Sequence, residues 1–64
     1  MKQIVLNKVY RLDMSASTPI EVKTKKFTDR GVMCEYQNSW YGRTEIIDYR
    51  IFDMNGYSYD KKNF

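Results

Sequence analysis

Histidine is absent from this 64-residue chain, cysteine and proline occur once each, and glycine only three times. Without histidine the commonest general base is missing, so neither a Ser-His-Asp nor a Cys-His arrangement can be assembled within one chain. Cys34 alone cannot form an intramolecular disulfide, and with no histidine beside it the usual zinc ligand sets are excluded. No apolar stretch approaches the roughly 20 residues that cross a bilayer. The apolar run Ile4-Val5-Leu6 is cut by Asn7, too short for the core of a signal peptide. These absences set the expectations: a soluble cytoplasmic chain that is not an enzyme, carries no cofactor or metal, and makes no membrane contact.

What is present is aromatic, β-forming and basic. Six tyrosines, three phenylalanines and one tryptophan are many for this length, while Leu and Ala are scarce, which favours strands and contact surfaces over helices. The net charge is +3. In residues 1 to 30, Lys2, Lys8, Arg11, Lys23, Lys25, Lys26 and Arg30 stand against Asp13, Glu21 and Asp29, so the basic excess belongs to the first half. A chain this short buries only about 60% of the surface it exposes when unfolded, enough for one domain with a modest core. A single domain over residues 1–60 with a polar tail at 61–64 is expected.

The hydrophobic pattern divides the chain into stretches bounded by turns. Residues 3–12 are rich in β-formers, with Ile4, Leu6, Tyr10 and Leu12 on one face. Val5, Val9 and Leu12 keep a helix open as the alternative. Residues 13–19, with small polar side chains and Pro19, read as the longest loop. From Ile20 to Phe27 a two-residue period sets Ile20 and Val22 against Glu21, Lys23 and Lys25, the mark of a half-buried strand. Thr28-Asp29-Arg30-Gly31 is expected to turn with positive φ at the glycine and lead into Val32-Met33-Cys34-Glu35-Tyr36. Arg43 to Phe52 alternates so that Ile47, Tyr49 and Ile51 form the core face, and Asn55-Gly56 predicts a type I′ hairpin turn into Tyr57-Ser58-Tyr59. The fold class that follows is all-β: a small five-stranded antiparallel meander curling into a partly open barrel, which hides the edges of a sheet this small.

The order of elements from residue 8 to residue 60 resembles the SH3-like small barrels, including the Tudor and KOW types. The resemblance is carried by the long loop at 13–19, the glycine turn Asp29-Arg30-Gly31, and Val32-Met33-Cys34-Glu35-Tyr36 leading to Gly42-Arg43-Thr44-Glu45-Ile46-Ile47. It implies a binding module whose rim loops contact a peptide or nucleic acid. The abundance of Lys, Asn, Ile, Tyr, Phe and Met also matches an AT-rich coding sequence, as in many phages and Gram-positive bacteria; joined to the small size, the missing catalytic parts and the aromatic turn at Trp40-Tyr41, it sets the expectation of a phage-type accessory protein that modulates a host enzyme.

Two candidate surfaces emerge. Trp40 and Tyr41, beside Gly42 in a turn, are either a lid on the core or an anchor for a partner, and with Arg43 and Tyr57 they form the expected protein-binding set. Lys23, Lys25, Lys26 and Arg30 form the alternative, a basic stripe able to track phosphates while an exposed aromatic stacks on bases. The competing role for those lysines is to blunt an edge strand. A metal site from Glu35, Glu45 and Asp48 is the weaker third option, and Cys34 reads as a buried structural thiol. A homodimer through an exposed strand edge is compatible with either surface.

Overall fold

The computed structural model describes residues 2–15, 17–37 and 42–59. Six strands and one short helix follow in the order β1 (Lys2–Gln3), β2 (Val9–Met14), β3 (Ser17–Phe27), β4 (Gly31–Tyr36), β5 (Thr44–Asp48), α1 (Tyr49–Met54) and β6 (Tyr57–Ser58). Strands β2, β3, β4 and β5 form one antiparallel meander in chain order, and β1 pairs in parallel with β6 as a separate ribbon. The all-β class and the antiparallel meander hold, but the four-stranded sheet does not close into a barrel.

One face of the sheet carries the core. Tyr10, Leu12, Val22, Val32, Cys34 and Ile47 are buried from the sheet side, Ile4 and Phe52 from the opposite side. Ile20, Phe27, Tyr36, Tyr49, Ile51, Tyr57 and Tyr59 pack around them. The inward set expected from alternation in β3 and β4 is therefore correct.

Four local expectations are corrected. The stretch 3–12 is neither one strand nor a helix: it turns at Leu6-Asn7, where Asn7 adopts φ 61°. Thr24 makes this turn possible. Fully buried in β3, its hydroxyl donates to the Val5 carbonyl at 2.6 Å and accepts from the Lys8 amide at 3.3 Å, while its carbonyl accepts from Asn7 N at 2.7 Å. Tyr10 and Leu12 keep their common face on β2, whereas Ile4, on the far side of the turn, reaches the same core from the opposite side.

The loop at 13–19 is mostly strand. β2 runs to Met14, β3 starts at Ser17, and Met14 pairs with Ser17. Pro19 is tolerated inside β3 because the β2–β3 register shifts between Leu12 and Met14, and because β4 pairs with β3 only from Val22 onward.

Gly31 does not take positive φ; Gly42 and Gly56 do. What Gly31 provides is room. A Cβ there would overlap the carbonyl oxygen of Ile47 on β5. The turn itself is held by Thr28, whose hydroxyl accepts from the amides of Arg30 and Gly31 at 3.2 and 3.1 Å and donates to the Gly31 carbonyl.

The largest correction concerns residues 49–59. The expected strand stops at Asp48, whose side chain caps α1 by accepting from Arg50 N at 2.9 Å. Asn55-Gly56 is then a helix stop, not a hairpin turn: Asn55 has φ −100°, Gly56 has φ 87°, and their amides donate back to Phe52 and Asp53. The helix also reverses the expected orientation of Phe52, which is fully buried, and brings Tyr49 and Ile51 to the core from above the sheet.

Candidate functional site

The expected sites fall into three places. Trp40 and Tyr41 lie outside the described residues. Arg43 directly precedes β5 and is exposed, its carbonyl accepting from Tyr36 N at 2.8 Å. Tyr57 lies in β6, half-buried, with its ring in edge contact with Tyr10 on β2 at 4.7 Å between centroids. Tyr10, Val22, Tyr36 and Arg43 follow one another across the sheet, so Arg43 is roughly three strand spacings of ~4.8 Å from the strand beneath Tyr57. The structure does not bring Arg43 and Tyr57 into one patch.

Tyr57 instead belongs to a cavity of about 320 Å³ between α1 and β6, lined by Tyr49, Arg50, Asp53, Tyr57, Ser58 and Tyr59. The capped helix sets Tyr49 and Asp53 one turn apart, and the left-handed Gly56 turns the chain back so that Tyr57 to Tyr59 form the second wall. Its aromatic wall is rigidly backed. Tyr49 stacks on Tyr59 at 4.4 Å and 18°, Tyr59 leans on Phe27 at 4.8 Å, and the Tyr49 hydroxyl donates to the Thr28 carbonyl at 2.6 Å. Burial, and secondarily the neighbouring Tyr59, push the Tyr49 phenol up to about 12, so it stays neutral at physiological pH. Arg50 and Asp53 stand exposed at the rim. Arg50 reaches Asp48 at 3.4 Å, and the amide and guanidinium of Arg50 hold the Asp48 carboxyl below its ordinary value. Of this site Tyr57 alone belongs to the expected protein-binding set, with Tyr59 read from the sequence as a neighbour on the same face. The signal for the rest was Asp48 as N-cap with Asn55-Gly56 as stop, which turns an alternating stretch into a helix.

The lysines do share a face. Thr24 points into the core and Phe27 packs against it, and the register shift between Thr24 and Lys26 leaves both Lys25 and Lys26 on the outer side with Lys23. Arg30 is exposed in the following turn. Acidic residues interleave, however. Lys23 is directly opposite Glu35, Arg11 is opposite Glu21, and Lys25 Nζ lies 3.6 Å from Glu35 Oε1. The face is a checkerboard of both signs.

Glu35 and Glu45 cannot share a metal. They sit on successive cross-strand rows, Glu35 outward beside Lys25 and Glu45 on the core side, where it accepts from the Tyr36 hydroxyl at 3.0 Å. Among the described residues no group of three His, Cys, Asp or Glu side chains gathers to hold an ion. Cys34 is fully buried, and burial pushes its thiol up to about 12, far from the thiolate a nucleophile needs. No described helix is long and apolar enough to cross a membrane. No family model, curated protein or solved structure matches the chain.

Proposed function

We propose that this chain is a small non-catalytic module that docks on a protein partner through the tyrosine-lined cavity between α1 and β6. The observation that carries this is the cavity's composition: Tyr49 and Tyr59 stacked on each other and backed by Phe27, Tyr57 backed by Tyr10, and one cationic and one anionic side chain at the rim. Tyrosines held in place offer a large amphipathic contact area at little cost in conformational entropy, and such residues dominate binding hot spots. Arg50 and Asp53 then fix the orientation of a peptide segment that places an apolar side chain between the rings. Trp40 and Tyr41 remain part of the proposed docking set as a second anchor. In this reading the protein modulates its partner by occupancy, as a phage-type accessory protein would, in a reducing cytoplasm where Cys34 stays a thiol.

The nucleic-acid reading rests on Lys23, Lys25, Lys26 and Arg30, and the interleaved Glu21 and Glu35 weaken it, because phosphate tracking needs an uninterrupted positive stripe. The two are separated by paired variants. Capture from a bacterial lysate is expected to yield a stoichiometric protein that is lost with Arg50→Glu plus Asp53→Lys and kept with Lys23→Glu plus Lys26→Glu. The reverse pattern, joined to binding of labelled single-stranded DNA or RNA that weakens steeply with salt, would replace protein docking with nucleic-acid binding.

A further inference from the structure

The two edges of the four-stranded sheet are not equivalent. On β2 the outward backbone groups of Asp13 are already used: its N–H donates to Asn55 Oδ1 at 2.9 Å and its carbonyl accepts from Asn55 Nδ2 at 3.2 Å. Arg11 places a charge on the same edge. β5 is guarded only by its short length and by the charges of Glu45 and Asp48. Its sequence Thr44-Glu45-Ile46-Ile47-Asp48 has no lysine, arginine or proline, and among the described residues no strand lies on its outer side.

The ladder identifies which groups face outward. Tyr36 N donates to the Arg43 carbonyl, so Tyr36 and Arg43 form a hydrogen-bonded pair, and the alternation of an antiparallel ladder makes Cys34/Glu45 and Val32/Ile47 the next such pairs. The N–H and C=O groups of Thr44 and Ile46 and the N–H of Asp48 therefore point away from β4, while the Asp48 carbonyl serves the first turn of α1. Ile46 is 41% exposed and pairs across β4 with Met33, 36% exposed, giving a short apolar stripe that runs to the edge.

We propose that the β5 edge pairs antiparallel with β5 of a second copy of this chain, about a twofold axis through Ile46. That register places Ile46 opposite Ile46 of the second copy, Thr44 opposite its Asp48, and Glu45 opposite its Ile47. All five residues face a residue of the second copy, no like charges face each other, and the Asp48 side chain gains a hydroxyl partner. A register moved by one pair in one direction sets two Glu45 carboxylates face to face; moved the other way, it pairs only the last three residues of the strand. The chosen register also joins the two Met33-Ile46 stripes into one across the outer face. The result is a continuous eight-stranded sheet, with an isologous interface of the kind that closes at two copies.

Sedimentation equilibrium on the intact chain from micromolar to millimolar concentration tests this. The expected mass rises from 7.7 kDa to twice that value. Ile46→Lys opposes two ammonium groups on the axis and is expected to hold the chain monomeric. Ile46→Pro removes only an outward N–H, leaving the hydrogen bonds to β4 intact, and is expected to do the same. Val9→Lys, on the β2 edge, is expected to leave the dimer intact. Circular dichroism confirms that each variant is folded. Should Ile46→Pro not fold, Ile46→Cys decides, because hydrogen-bonded pairs hold their Cα atoms about 5.5 Å apart, within disulfide range, and mild oxidation then yields a covalent dimer. A wild-type chain monomeric at every concentration overturns the proposal. So does a dimer that Val9→Lys dissolves and Ile46→Lys does not. A monomer whose capture of a foreign partner is abolished by Ile46→Pro assigns the edge to that partner's strand and equally overturns a second copy.

Discussion

The side-chain amide of Asn55 stands in for a neighbouring strand, accepting from the Asp13 amide and donating to the Asp13 carbonyl while its second N–H donates to Ile51 O at 2.8 Å. One side chain thus ties the end of α1 to the edge of β2. Asn55→Ala removes all three bonds and is expected to cost about 1 kcal/mol, since the groups are partly solvated. For a domain of this size that is a fall in Tm of about 4–8 °C in a thermal melt. Asn55→Asp keeps the acceptor, loses both donors, and adds a negative charge at a helix C-terminus, so at neutral pH it is expected to melt below Asn55→Ala.

Thr24→Val preserves shape and removes the hydroxyl that holds the Val5–Lys8 turn. The expected loss is about 1–3 kcal/mol, because the Val5 carbonyl and the Lys8 amide are left short of a partner. Native-state hydrogen exchange at Asn7 and Lys8 is expected to quicken more than exchange in β4. Unchanged stability would mean that the turn does not depend on this hydroxyl.

Gly31→Ala tests a close approach rather than a dihedral angle. The added methyl meets the Ile47 backbone, which cannot step aside without parting β4 from β5, and a loss of about 2 kcal/mol or more is expected. Gly56→Ala meets open space and is strained only by its φ of 87°, so about 1 kcal/mol is expected. Denaturant unfolding of the two variants should rank them in that order.

Alkaline pH is expected to unfold the domain through Cys34 and Tyr49. Burial pushes the Cys34 thiol from 9.0 up to about 12, and burial with the neighbouring Tyr59 pushes the Tyr49 phenol from 10.0 up to about 12. Each folded value lies above its unfolded one, so the unfolded chain gives up these protons first. Stability from this source is intact below about pH 9 and declines as pH rises toward 12. Thiol reactivity and phenolate absorbance should rise together with loss of the β-sheet circular dichroism signal. A thiol that reacts rapidly near pH 8 in the folded chain would contradict the burial of Cys34.

How much of this was legible depends on whether one period ruled a stretch. In β3 and β4 it did, and Val22, Val32 and Cys34 are buried as alternation requires. Between residues 43 and 52 two codes overlap: Ile47, Tyr49 and Ile51 alternate, yet Asp48 before Tyr49 and Asn55-Gly56 after Met54 bound a helix. Capping chemistry prevailed there, and with it went most of the tyrosine cavity. Thr24 was illegible for another reason. Alternation places Thr24 on the inward side with Ile20 and Val22, but nothing in its strand shows that residues 5–8 fold back over it and take its hydroxyl. The lysine face was seen correctly as a face. That Glu35 and Glu21 intersperse it follows from strand register, which no single strand reveals.

The β1–β6 ribbon joins positions 2 and 57, while every other strand pairing links neighbours in the chain. Closing so long a loop is entropically costly, and a short parallel ladder, with Lys2 N to Gly56 O and Ile4 N to Ser58 O among its hydrogen bonds, offsets that cost between the backbones. In folding, this closure is expected to come last, after the meander has zipped. Under tension applied between residues 2 and 58, the two parallel strands are drawn past one another, so the bonds of this ladder bear the load together before the sheet beneath is stretched.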